Sequence, residues 1–293
     1  MKATVVIPVY NGGDTLKACL HGLQAQDIEQ GQYEVIVVND GSTDNTAAVA
    51  ADFNVRLLEQ DNQGAPAARN LGLANAQGDW VAYTDADCVP SRSWLSGLVN
   101  AVEVDYGGTA LGAAGRTLGY NSTHQAARFV DLMGGLDAER HLSHPTFPFA
   151  PTGNVMYRRS ILEQIGGFDP RYYAYDACDL HTRMRRLQDG PFPYVGHALV
   201  LHLHRSSWKA YWKQQRNYGR GLAQFMWQHR ADVQWSLSHE LAAWGKVASS
   251  GLRACWPGND DAAIRRRGIF LKEFAQRLGF DVTYWSPVER SRW

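Results

Sequence analysis

Two aspartates separated by a single residue, in the string Thr84-Asp85-Ala86-Asp87, are the sharpest chemical feature of this 293-residue chain. On an extended segment residues i and i+2 project to one side. Two carboxylates held that way repel each other unless a cation lies between them or one takes a proton. Hard oxygen ligands of this kind suit Mg2+ or Mn2+, which keep positions open for phosphate oxygens. A bare Asp-x-Asp also occurs in solvated turns; the apolar run WVAYTD (80–85) that leads into this one favours the metal. Two further polar clusters follow apolar runs, Pro8-Val9-Tyr10-Asn11-Gly12-Gly13 and Asn39-Asp40-Gly41-Ser42-Thr43-Asp44. Asp40 can accept a hydrogen bond from a nucleobase or ribose while Ser42 or Thr43 caps the next helix. Arg69, in QGAPAARNLG, either binds a diphosphate bidentately or pairs with a nearby acid.

The elements that must position these groups alternate. TVVIPV (4–9), YEVIVVN (33–39), VRLLE (55–59), WVAYTD (80–85) and ALGAAGR (110–116) are short, β-branched and apolar, as strands covered on both faces are. Helices are expected between them at 14–26, 43–52, 65–77 and 92–104, the last capped by Ser91. Strand–helix alternation implies an α/β fold with a mostly parallel sheet and right-handed crossovers. Ligands of such sheets bind beyond the carboxyl ends of the strands, so the three clusters should converge. Farther on, helices are expected at 124–135, 158–165 and 176–188, strands at 153–157 and 193–203, and a long Trp- and Tyr-bearing helix from Ser207. The remainder, about 232–293, reads as two or three helices.

Composition narrows the classes. Twenty-nine Lys and Arg balance 29 Asp and Glu, which excludes a strongly basic polyanion binder, and no nucleic-acid partner is expected. The four cysteines are far apart, so neither a disulfide scaffold nor a zinc ribbon is expected. With no signal-peptide pattern and no long apolar run, a cytoplasmic protein is expected. No G-x-G-x-x-G follows the first strand and no G-x-x-x-x-G-K-[ST] occurs, which disfavours oxidoreductase and P-loop readings.

VIPVYNGGDTL, VIVVNDGSTDNT, NQGAPAARNLGLANAQGDWVAYTDADC and GGFDPRYY…DACDLHTRMRR, in this order and spacing, resemble a family 2 glycosyltransferase over roughly residues 3–225. The resemblance implies a GT-A fold, a Rossmann-like mostly parallel sheet flanked by helices, with a C-terminal helical extension. It also implies inversion at the anomeric centre and a nucleotide-sugar donor (UDP-, GDP- or dTDP-linked) used with Mn2+ or Mg2+. The acceptor it implies is a glycan or lipid-linked hydroxyl in cell-surface polysaccharide or glycolipid synthesis. Pro8, Tyr10 and Asn11 resemble the nucleotide-contacting loop, Asp40 with Gly41 the base-binding turn, and Arg69 the cation near the diphosphate. Asp85 resembles the acid nearer the ribose and Asp87 the direct metal ligand; His202 or His204 lies where relatives carry a histidine that completes the metal site. The family often reads Glu-Asp-x-Asp-Leu where this chain has Asp176-Ala177-Cys178-Asp179-Leu180. Asp176 is expected to be the catalytic base, with Asp179 the other candidate or a helix-end acid.

The division expected is a catalytic domain at 1–230, with a donor half at 1–120 and an acceptor half at 121–230, followed by an extension at 231–293. Two other functions compete. A sugar-phosphate nucleotidyltransferase would want a cation in PVYNGGDT, which has none before Lys17; a binding module without catalysis is suggested by Ala177. His141 and His144 read as surface residues, Cys88 and Cys178 as space-fillers. The Trp-bearing stripe of 208–227 reads as core, or as a platform for an acceptor sugar. The basic amphipathic segment 264–280 is either docked on the protein or laid on an anionic membrane as a peripheral contact.

Overall fold

The first apolar run forms strand β1 (Ala3–Val9), buried along its whole length. It is followed by α1 (Gly13–Gln24), β2 (Tyr33–Asp40), α2 (Thr46–Ala51), β3 (Arg56–Gln60), α3 (Ala65–Ala74) and β4 (Trp80–Tyr83). The structure is a computed structural model that describes residues 1–120, 123–232 and 236–291. Residues 121–122, 233–235 and 292–293, the first pair opening the expected acceptor half and the others within the expected extension, lie outside the described residues. After β4 come β5 (Cys88–Pro90), α4 (Trp94–Asn100) continued by a π-helical turn at Ala101–Asp105, and β6 (Gly112–Gly119). Then follow α5 (Gln125–Leu132), α6 (Ala138–Leu142), β7 (Val155–Arg158), α7 (Arg159–Gln164), α8 (Asp176–Leu187) and β8 (Tyr194–His202).

The eight strands form one sheet in the order β3-β2-β1-β4-β7-β6-β8-β5. The expected parallel pairing holds over β3, β2, β1 and β4, where strand and helix alternate. Beyond it β7 runs antiparallel to both β4 and β6, and β8 antiparallel to β5. Side chains of β1 alternate between two cores. Val5, Ile7 and Val9 belong to one core with Leu16, Cys19, Leu20 and Leu23 of α1 and Trp94, Leu95 and Leu98 of α4. Val6 belongs to the other, with Ala68 and Leu73 of α3, Ile161 and Leu162 of α7, and Leu180 and Met184 of α8. This two-sided burial is why the strands read as continuous apolar runs. Asn70 of α3 exchanges hydrogen bonds with the backbone of Phe168 (2.7 and 2.8 Å), which pins the Gly-Gly-Phe-Asp turn to α3.

Two compact units interleave along the chain. The first comprises Met1–Leu118, Leu136–Pro170 and Ala177–Leu203; the second comprises 119–135, 171–176 and 204–293. The second unit holds α5 together with α9 (Trp208–Gln228), α10 (Leu237–Ala254), α11 (Asp261–Tyr284) and α12 (Pro287–Arg290). Ser207 caps α9 and Asp260 caps α11 with side-chain oxygens. α9 and α11 cross at two glycines. A Cβ on Gly219 would lie 2.0 Å from the Gln276 carbonyl oxygen, and one on Gly279 would lie 2.1 Å from that of Arg216.

Segment 264–280 lies within α11 and is docked. Ile264 and Phe280 are buried, Ile269 packs on the Phe129–Tyr211 cluster, and the Phe274 ring contacts Trp212 of α9 and Trp244 of α10. Arg265, Arg266 and Arg267 donate to backbone carbonyls, and Arg277 pairs with Glu240 and Asp281. The alternative reading, a membrane contact through this segment, thus loses much of the apolar face it required. Among the described residues no helix is long and apolar enough to cross a membrane.

Candidate active site

β4 ends at Tyr83, and Asp85 and Asp87 follow in a tight turn that enters β5. Each carboxylate has its own partner. The Arg69 guanidinium, almost fully buried and 5.5 Å from the Phe168 ring centroid, donates to Asp85 Oδ1 at 3.1 Å. Pairing with a nearby acid, one of the two readings of Arg69, is present in the structure. Asp87 Oδ1 lies 3.5 Å from His202 Nε2. β5 makes that contact: it pairs with β8 so that Cys88 faces His202, and Leu203 N donates to Asp87 O at 2.9 Å.

Among the described residues, Asp87, Cys88 and His202 offer ligand atoms all within 4.8 Å of one another. Neighbouring ligands of an octahedral ion at about 2.1 Å lie about 3 Å apart, so Asp87 and His202 fit one divalent cation. Cys88, expected only to fill space, borders the group. Burial, with the nearby charges of Asp85 and Asp87, pushes its thiol well above the ordinary range. A sulfur that keeps its proton is a poor ligand for a hard cation. His204 is not part of the group: its Nε2 is 3.0 Å from Asp131 Oδ1, which also accepts from Gly119 N. β8 stops at His202, so the two-residue alternation that would have kept both histidines on one side is broken.

Gly153, which the sequence reading missed, closes the other side of the turn. A Cβ there would lie 3.3 Å from Asp85 Oδ2 and 3.4 Å from Cys88 Sγ, and Thr84 Oγ1 fastens the Gly153 carbonyl at 3.0 Å. Its only signal is a glycine just before an apolar strand.

The expected convergence of the strand ends is visible in hydrogen bonds. Asn11 N donates to Ser42 Oγ (2.9 Å), Thr43 N to Asn11 Oδ1 (2.8 Å) and Gly13 N to Asp44 Oδ2 (3.1 Å). A Cβ on Gly12 would touch the Ala86 methyl at 3.6 Å, which sets the β1 loop beside the two acids. Ser42 and Thr43 are therefore engaged by Asn11 and do not cap α2; its N-cap residue is Asn45, which makes no side-chain cap bond, and Asp44 just before it accepts from Thr46 N at 3.0 Å. Asn11 holds a left-handed conformation (φ 49°). Gly41 does so too (φ 72°), and a Cβ there would sit 2.8 Å from Asn62 N.

Asp40 is only 3% exposed and accepts from Gln60 Nε2, Gln63 N and Gly64 N at 2.7–2.9 Å. In the structure its carboxylate holds the 60–64 turn ahead of α3. Pro8 is buried inside β1, not displayed in the loop. Its nitrogen faces the β4 side beyond the last rung, where Thr84 N meets Val6 O, so the missing N–H costs no ladder bond. Tyr10 is exposed at the strand end.

On α8, Asp179 is 3% exposed and accepts from Arg183 Nε at 2.8 Å; Arg183 also donates to the Ile165 and Gly167 carbonyls. Asp179 is thus a buried ion-pair member. Asp176 opens the helix and is half-buried. Burial beside Asp179 raises the Cys178 thiol to about 12, so it is inert as a nucleophile. His181 is fully enclosed; its Nε2 accepts from Ala150 N (3.2 Å) and meets Tyr157 Oη (2.9 Å). Burial, reinforced by Arg185, pushes its pKa down to about 3, so the ring is neutral. A cavity of about 160 Å3 beside it, lined by Leu111, Leu142, Met184 and Phe192 among others, shares no side chain with the Asp85–Asp87 turn.

The family model described as Glycosyl transferase family 2 matches residues 4–166. The chain is 29% identical over 195 residues to glycosyltransferase AglE of Haloferax volcanii, covering 64% of this chain and 62% of that protein. It is 30% identical over 239 residues to the pre-mycofactocin glycosyltransferase of Mycobacterium tuberculosis, covering 77% of this chain and 48% of the relative. It thus spans about half to three-fifths of the length of these curated relatives. The mannosyltransferase PcManGT from Pyrobaculum calidifontis, in complex with GDP-Man and Mn2+, matches with a TM-score of 0.66 at 20% identity, over 97% of this chain and 87% of that one. TarS of S. aureus in complex with UDP-GlcNAc matches with a TM-score of 0.58 at 16% identity, over 98% and 93%. These structures share the GT-A fold with the present one. With just over half of its residues inside the family model, the chain belongs to glycosyltransferase family 2.

Proposed function

We infer that this protein transfers a glycosyl group, with inversion, from a nucleoside-diphosphate sugar to an acceptor hydroxyl of a glycan or lipid-linked glycan. The observation that carries the reading is the Asp87–His202 pair at the end of the parallel half-sheet, next to an Asp85 already neutralised by Arg69. Asp87 and the His202 imidazole, 3.5 Å apart, would hold one divalent cation, Mn2+ or Mg2+. A bound cation would offset the charge that builds on the leaving diphosphate. Support comes also from two solved proteins of this fold, one holding GDP-Man with Mn2+ and the other UDP-GlcNAc.

In this reading the exposed Tyr10 and the Asn11 loop meet the nucleoside. Asp40 and Gly41 shape the base-side turn, and Asp85 lies toward the ribose. Asp176 takes the proton of the acceptor hydroxyl as its oxygen bonds to the anomeric carbon and the diphosphate leaves with the bonding electrons. Cell-surface polysaccharide or glycolipid synthesis on the cytoplasmic side is the setting proposed. One observation favours a binding-only alternative: Ala177 stands where the family commonly has an acid, and Asp179 is spent on Arg183.

A thermal-shift series with UDP, GDP and dTDP, each with and without Mn2+, tests the donor site. A ligand at a hundred times its Kd stabilises by about 2.7 kcal/mol. The expected result is a larger shift with metal than without, lost in Asp87→Asn while the unliganded melting temperature stays close to wild type. A shift that no nucleotide makes metal-dependent rules out the cation site. Turnover of a nucleotide sugar separates the transferase from the binding module.

A further inference from the structure

α10 turns the wrong face to solvent for an ordinary surface helix. Its inner side carries Val247 and Ser250, both buried, with Glu240 paired to Arg277 and Gly251 set against the Phe270 ring. Its outer side carries Leu241, Gly245, Ala248 and Leu252, all exposed and spaced 4, 3 and 4 residues apart, and Trp256, also exposed, follows two residues past the helix end at Ala254. That spacing draws one line along the helix, about 16 Å long from Leu241 to Leu252 at 1.5 Å per residue. Leu241 is 67% exposed, Leu252 78% and Trp256 71%. Trp244, at 38%, flanks the line on one side. Lys246 and Arg253, seven residues apart and exposed, flank it on the other.

Charge selects the occupant. From Ser238 to Trp256 the sole acid is Glu240, and it is turned inward onto Arg277, so the outer face carries cations and no carboxylate. A second copy of this face would bring no acid to Lys246 or Arg253. Three large apolar side chains in file, with Trp244 beside them, also fall well short of the roughly 800 Å2 per partner that stable pairs bury. An anionic lipid surface meets both conditions, because an interfacial helix inserts a narrow apolar line about 5–10 Å deep and leaves its cations among the headgroups. Small residues at 245, 248 and 249 let the backbone approach that surface closely.

We propose that α10 is a lipid-binding face, with Leu241, Leu252 and Trp256 entering an anionic monolayer and Lys246 and Arg253 contacting its headgroups. This does not depend on the transfer reaction and assigns the contact to a different helix from segment 264–280.

The test uses the full-length protein and vesicles of phosphatidylcholine with or without 30% phosphatidylglycerol. Binding to the anionic vesicles is expected to be at least tenfold tighter than to neutral ones and to weaken in high salt. Brominated lipid should quench tryptophan emission in the bound protein. Leu252→Glu is expected to reduce binding at least tenfold at an unchanged melting temperature, because the side chain it replaces touches mostly solvent. Lys246→Gln with Arg253→Gln should abolish the preference for anionic lipid. Undiminished vesicle binding by Leu252→Glu, or no binding by the wild type, overturns the proposal. So does a wild-type dimer by light scattering that Leu252→Glu dissociates, which would make the face a contact between copies.

Discussion

Asp179 and Asp176 stand one helical turn apart on α8, and the proposed function gives them different work. Asp179 is enclosed and ion-paired with Arg183, whose other nitrogens hold the Ile165 and Gly167 carbonyls. Asp179→Asn removes the charge and keeps the shape. We expect a loss of about 2 kcal/mol in stability, below the range for a fully buried pair because Arg183 is partly exposed and keeps two carbonyl partners. Asp176→Asn should leave melting unchanged and lower turnover about a hundredfold, with donor affinity retained. Melting, donor titration and initial rates on both variants check this; a stable, inactive Asp179→Asn beside an active Asp176→Asn reverses the assignment. His181 makes a pH prediction. Its folded-state pKa of about 3 lies below the ordinary 6.5, so the stability it allows is complete above pH 6.5 and is lost as pH falls toward 3. Between pH 7 and pH 5 the loss is about 2 kcal/mol. His181→Gln should flatten that segment of the melting-temperature profile relative to wild type, and parallel profiles would show the ring is not the titrating group. Which acid pairs with which base was open in the sequence. Arg69 and Asp85 are 16 residues apart, and two readings of Arg69 were equally compatible with its neighbours.

β5 is three residues long, and its pairing with β8 decides which histidine meets Asp87. A strand that short carries no periodicity, so a motif carried over by resemblance left His202 and His204 equivalent. The parallel strands were legible because each is buried on both faces and each is followed by a helix. The antiparallel half was not, since placing β6 between β7 and β8 depends on pairing between distant segments that no local pattern encodes. Capping was misjudged for the same reason: Ser42 and Thr43 are good caps locally, but Asn11, more than 30 residues away, engages both. Helix crossings yield a prediction here. At Gly219 a methyl would lie 2.0 Å from a backbone oxygen that cannot swing aside. Gly219→Ala should cost about 3 kcal/mol or more by forcing α9 from α11, against a small effect for Gly245→Ala, where the space is open. Equal melting temperatures for the two variants would show that the crossing tolerates a wider spacing.

At the scale of the whole chain, a net charge of zero hides local asymmetry: the turn at 85–87 is acidic, while the outer face of α10 is cationic and apolar. The motif strings that carry the family resemblance lie mostly in the first unit, which accounts for how much of its parallel half-sheet was legible in the sequence. The helices after residue 204 offered periodicity but no motif for their mutual packing. The reciprocal glycines Gly219 and Gly279 have a consequence for how short the protein can be made. A version ending at residue 258 would strip α11 from the groove it fills, uncovering Phe129 and Tyr211 and leaving Glu240 without its arginine. Such a fragment should elute as aggregate in size-exclusion chromatography and lose its cooperative melt, whereas removing only 287–293, where α12 buries no residue, should leave a monodisperse protein. The last helices thus set a minimum length for a soluble product, and proteolytic trimming into α11 would end its lifetime before any loss at the Asp85–Asp87 turn could be measured.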